Sequence, residues 1–340
     1  MLVTSCVSVG DGTDLEVERT AGLDPLFRQD PSWLGTASAT SIDLGDDRTL
    51  WLFGESFIST NGTALRDAAA IVPNSIALMV GRDAADARMD FAYGDPPTGF
   101  FDLDAEPLGG AHLPDGSALV FLGERGAPVP GGFGTLIQSI RVVRIRDLTG
   151  SPRAWTSEPV FTFPGVELGC SVRVGDQVVA LLVDGNRNGS LVRWSDDALV
   201  RGDLTDREVW NGSAWAAEGG IVVVPEASSR CSLFPQTQLA SDFDAVTWVY
   251  SASQADGTIA YREATRLEGP YATSQTMSMP TVEDDELAYG GRVHELTDDG
   301  SRLVTFLVTS LEPRALFDPA RDDDLLWPRV GRAVVSITVE

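Results

Sequence analysis

The chain has 340 residues, with 50 acidic against 25 basic side chains and a formal charge of -25. Every basic residue is arginine, and the lack of lysine excludes Schiff-base chemistry and a phosphate-loop lysine. The acidity argues against nucleic acid or anionic lipid as a partner, because like charges repel at long range, while a hydrophobic share of 43% is enough for a sizeable core.

In chain order, the first element is a short motif, Val3-Thr4-Ser5-Cys6, similar to the end of a bacterial lipoprotein signal. The basic and long apolar regions of such a signal do not precede it. Cys6 is therefore either a lipid anchor whose signal starts upstream or an ordinary residue of a frayed terminus. Residues 1–30 read as a polar tether and 31–340 as one domain, and no apolar run is long enough for a transmembrane helix. An exported protein, extracellular or in the cell envelope, is the expectation, and a monomer.

From residue 31 onward the signal is β. Short apolar runs bounded by Gly, Asp and Pro replace helical periodicity, and one hairpin pattern recurs. Ser38 to Leu44, the turn Asp46-Asp47, and Leu50 to Phe53 form the first copy. The second runs from Gly109 to Leu113, through Asp115-Gly116, to Leu119–Leu122, and the third from Cys170 to Val174, through Gly175-Asp176, to Val178–Val183. The fourth spans Cys231 to Leu239, Asp242 and Asp244, and Val246 to Tyr250; the fifth spans Gly291 to Leu296, Asp298 to Gly300, and Leu303 to Val308. The turns lie roughly 55–70 residues apart, a period that suits propeller blades of several strands rather than solenoid coils. The second strand of each copy is apolar on both faces, as strands between stacked blades require. The first is small and polar, as strands converging on an axis require. The expectation is an all-β, five-bladed β-propeller; a pair of β-sandwiches is the alternative.

The same residues carry a family resemblance. Trp33-Leu34-Gly35, Ala39-Thr40-Ser41 and Arg48 to Ile58 resemble the opening of a bacterial five-bladed propeller family of largely unknown function. Some of its members are secreted endo-D-arabinanases. Further matches follow in order: Arg66 with Asn74 to Ala77, Pro107 to Gly110, Trp210 to Trp215, Gly269-Pro270-Tyr271, His294-Glu295-Leu296, and Trp327-Pro328-Arg329. The resemblance implies a fold related to arabinanase- and fructosidase-like glycosidases, and carbohydrate, polymer or oligosaccharide, as the partner. The chain departs from the family pattern where Ala37 replaces an acid, Glu55 an Asp, Glu106 a Trp, and Glu295 a Pro. These changes fall on the face that would meet sugar.

Glycoside hydrolysis needs two carboxyl groups flanking the scissile bond. The candidates are Asp104, Glu106, Glu167 and Glu226, each just before or at the start of an inner strand. Glu55, Arg66, Asn74, Arg230, Arg292 and His294 are candidate substrate-orienting groups. His112 is the other histidine, on a predicted inner strand. Each is alternatively a solvated or wall-packed side chain. Asp184 to Gly189 mimics the start of a calcium loop, but its twelfth position is Ser195 and no helices flank it, so a tight Asn-Gly turn is the expectation and no metal or other cofactor is assigned. Calcium remains an option there and at Asp322-Asp323-Asp324. Cys170 and Cys231 sit at analogous points of consecutive units, either as separate thiols or as a disulfide if the strands meet its geometry.

Overall fold

The computed structural model describes residues 14–63, 65–81, 86–128, 135–237, 246–254, 257–280, 282–298, 301–318 and 325–336. It is nearly all β, built from antiparallel sheets whose strands follow one another in sequence. The first sheet runs Ala39–Gly45, Arg48–Phe53, Ser75–Val80, Arg88–Tyr93. A three-stranded ribbon of Trp33–Thr36, Ser56–Ile58 and Ala70–Val72 accompanies it. The second runs Ala105–His112, Ala118–Pro128, Thr135–Ile145, Ser157–Pro164. The third runs Glu167–Val174, Gln177–Val183, Gly189–Ser195, Glu208–Trp210, Trp215–Ala216.

Two further runs share one eight-stranded sheet. One is Cys231–Thr237, Val246–Ser253, Ile259–Ala264, Gln275–Ser278. The other is Glu286–Asp298, Ser301–Ser310, Arg329–Ser336, and last Asp14–Arg19 from the other end of the chain. Asp14–Arg19 pairs antiparallel with Arg329–Ser336 and parallel with Gln275–Ser278. From residue 14 on, the stretch expected as part of a 1–30 tether is instead joined to the sheet. After that strand, Ala21–Arg28 forms a 3-10 helix that buries Leu23, Leu26 and Phe27 in the core of the first sheet. Residues 1–13, with Cys6, lie outside the described residues.

The hairpin turns form where their residues allow left-handed backbone. Asp46 and Asp47 have φ of 51° and 57°, the two-residue conformation that matches strand twist. The first strands of the five runs contact each other in succession, and the last contacts the first. The strands therefore ring an axis, and each is the edge of its sheet. The core lies between successive sheets, because the second strands alternate sides with the two-residue period of a strand. Leu50 and Leu52 face the second sheet's Val120 and Leu122, whereas Trp51 and Phe53 face Leu303 and Val330 of the last run. Val178 and Ala180 likewise pack toward the second sheet, and Val179 and Leu181 toward Cys231 and Tyr250.

Candidate functional site

The starts of the inner strands bring Glu106 and Arg230 together from 124 residues apart. Arg230 Nε donates to Glu106 Oε1 at 2.9 Å and its Nη2 to Oε2 at 2.6 Å, the two-pronged geometry that a planar guanidinium suits. The Glu106 side chain is 8% exposed and that of Arg230 46%. Burial pushes the Glu106 carboxyl up, but Arg230, Arg292 and Arg125 outweigh it and hold the carboxyl below the usual glutamate range. Glu106 is thus an anion at neutral pH and not a proton donor. Tyr289, from the last run, lies in the same electrostatic neighbourhood, its phenol pushed well up by burial and then by Glu106 and Glu55.

A second cluster sits beside this pair. Arg125 Nη1 lies 3.0 Å from Asp104 and 3.3 Å from Glu55. Both acids are exposed, at 75% and 49%, so these ion pairs are solvent-screened and weakly stabilising. Glu167, half-buried at the start of the third inner strand, is within electrostatic reach of Arg230. Glu226 is not drawn into this group by any described contact: it is 87% exposed, with its nearest cation, Arg262, 4.0 Å away. Asn74 is structural rather than substrate-facing. It is buried, its Nδ2 donates to the carbonyls of Leu103 and Ala105, and its Oδ1 accepts from Phe101 N. Arg66 is also buried, with Nε donating to Leu34 O and its guanidinium 6.0 Å from the Trp327 ring.

Deeper on the axis stands Arg292. Its Nη1 donates to Thr40 Oγ1 at 3.3 Å and to the carbonyls of Leu108 and Cys231, both at 3.0 Å, tying three inner strands together. Burial pulls its pKa down to about 10, with Glu106 opposing and Arg230 adding to the effect. Beyond it His294 is buried between two hydroxyls, with Nδ1 2.7 Å from Ser41 Oγ and Nε2 2.6 Å from Thr305 Oγ1. Its ring also packs 4.6 Å from that of Trp51. Burial, and then Arg292, lower its pKa to about 3, so it is neutral at ordinary pH. From Arg292 to the far ends of the inner strands extends a cavity of about 400 Å³. Cys170 and Cys231, on adjacent inner strands, form a disulfide with Cα atoms 5.1 Å apart.

The two histidines permit a direct check. His294 should stay neutral in an NMR titration from pH 8 to 5, while His112, lowered by burial and then by Arg173 and Arg48, titrates below an ordinary value of about 6.5. A histidine whose folded pKa is depressed adds stability above its unfolded pKa that is lost as pH falls below it. Denaturant unfolding should therefore weaken from about pH 6.5 downward, and His294→Gln should flatten that slope.

Arg125, Tyr289, Ser41 and Thr305 escaped the sequence reading. Ser41 lies in the Ala39-Thr40-Ser41 motif and Thr305 in the strand Leu303 to Val308, but only the folded structure gives them His294 as a partner. The calcium-like loop is a capped turn: Asp184 Oδ1 accepts from Asn186 N at 2.9 Å and from Asn188 N at 2.8 Å. Among the described residues no three His, Cys, Asp or Glu side chains converge as a metal site; Asp322 to Asp324 lie outside them. No described helix is long and apolar enough to cross a membrane.

No protein-family model matches the chain, and no curated protein does. Among solved structures it is similar to a candidate hydrolase from Bacteroides ovatus, with a TM-score of 0.72 and 13% identity over 96% of this chain and 97% of that one. It also matches the catalytic domain of an α-L-arabinofuranosidase from Coprinopsis cinerea (TM-score 0.49, 8% identity, 96% and 99% covered). A candidate exo-β-1,3-galactanase from Bifidobacterium bifidum gives 0.48 at 12% identity, with 88% and 90% covered. The chain thus has the fold of the Bacteroides ovatus protein over nearly its whole length.

Proposed function

We propose that the chain is a five-bladed β-propeller of glycoside-hydrolase-like type that takes carbohydrate, polymer or oligosaccharide, at the face where its inner strands begin. The observation that carries this reading is the buried, ionised Glu106 held by Arg230, with Glu167 at the next inner-strand start. In hydrolysis one carboxylic acid protonates the leaving oxygen as the C–O bond breaks, and a carboxylate assists the incoming water or bonds the anomeric carbon. The depressed pKa of Glu106 suits it to the carboxylate role, and Glu167 is the second carboxyl at the inner-strand starts. The Cys170–Cys231 disulfide supports an exported protein, since such bonds persist in oxidising compartments.

A second reading is a propeller that binds glycan, or a protein partner, without cleaving. It is favoured because both Glu106 oxygens are engaged by Arg230 and Ala37 stands where the resembled family has an acid. The test is release of reducing ends from a panel of furanoside and pyranoside polymers. Hydrolysis by the parent, with a loss of about 100-fold or more in Glu106→Gln and in Glu167→Gln, supports catalysis. Retardation by a polymer without release supports the binding reading. Neither response to any polymer overturns carbohydrate as the partner.

A further inference from the structure

The axial cavity is a second candidate site, lined by neither Glu106 nor Arg230 nor Glu167. Its inner end is Arg292, which is 6% exposed. Among the described residues its guanidinium donates hydrogen bonds through Nη1 alone. Nε and Nη2 donate to no acceptor among the described residues, and neither is sealed from open space. The nearby Glu106 is already forked to Arg230. A buried cation without its own counter-ion is costly, and the Nε–Nη2 edge is the one that meets both oxygens of a carboxylate side-on.

The walls suit hydroxyl groups. Each inner strand is a sheet edge, so it turns backbone N–H and C=O groups toward the axis. Ser41, Ser171 and Ser232 line the same space. At the far rim Asp43 is the single acidic lining residue, accepting from Gly45 N, and Arg173 opposes it while paired with Asp196. The volume, about 400 Å³, lies within the range of small-ligand sites.

We propose that this cavity binds a small hydroxylated carboxylate of monosaccharide size, its carboxylate on Nε and Nη2 of Arg292 and its hydroxyls on Ser232 and the strand edges. The site does not rest on the activity proposed for the Glu106 face. Calorimetric titration of the full chain with D-galacturonate, D-glucuronate, D-galactose and acetate tests it. One uronate should bind, acetate more weakly, and galactose, of the same size but uncharged, should give no binding. Arg292→Met should weaken the uronate about tenfold or more. Ser232→Leu, which fills the cavity and leaves Arg292 in place, should do the same, and it carries the test if Arg292→Met does not fold by circular dichroism. A neutral polymer held by the Glu106 face should not compete. Equal binding of galactose and galacturonate, uronate binding that survives Ser232→Leu, or no uronate binding at all overturns the proposal.

Discussion

Arg230→Met should lower folding stability at pH 7 by about 1–3 kcal/mol, because it leaves the Glu106 carboxylate buried without its partner. The upper end for a fully buried pair is not expected, since the Arg230 side chain is 46% exposed and water takes part of its place. The pH dependence has a definite sign. In the parent the Glu106 pKa is depressed, so its contribution is present above the unfolded value of about 4.3 and is lost as pH falls through the lower folded value. In the variant burial dominates and raises that pKa, so stability is lost instead as pH rises. The gap between parent and variant should therefore be widest near neutrality and should narrow toward pH 4, as read by urea unfolding at both values. Adding Glu106→Gln should recover much of the loss. A gap that is the same at both pH values would contradict the ion-pair account.

Cys231→Ser should have the largest effect of any single change on thermal stability. The disulfide closes a loop with a sequence separation of 61, for which unfolded-chain entropy alone gives about 4 kcal/mol. For a chain of this size that corresponds to a fall in Tm of about 6 °C. Calorimetry with and without reductant checks it, with reduction started from the denatured chain because Cys170 and Cys231 are both buried. An unchanged melt after full reduction would refute the assignment. Alkylation of the unreduced, unfolded protein should leave Cys170 and Cys231 unlabelled.

The repeat was legible because each hairpin couples a turn that needs Gly or Asp to an apolar strand. Leu50–Phe53 and Val178–Leu181 are buried on both sides, as a strand between two sheets must be. Small inner strands were legible too, since Gly110 leaves no room for a side chain: a Cβ there would meet Leu119 O at 2.2 Å. The pairings across the axis were not. Glu106 and Arg230 both stood out as charges near strand starts, but their fork depends on how the strands are spaced around the ring. Asn74 stood out as a ligand and is instead consumed by backbone amides and carbonyls, a role that an isolated Asn-Ser dipeptide does not announce. Asp14–Arg19 read as part of a polar tether, although Leu15 and Val17 alternate there with acids. That alternation is also what a half-covered outer strand carries.

The strand Asp14–Arg19 has a consequence for assembly in time. Most of the given sequence separates it from its antiparallel partner, Arg329–Ser336. That stretch must be synthesised before the two can meet, and contacts so distant in sequence slow folding. Until then Gln275–Ser278, and later Arg329–Ser336, present open strand edges that a neighbouring nascent chain can occupy. A version shortened past Arg19 would keep those edges bare, and its characteristic failure would be self-association rather than simple unfolding.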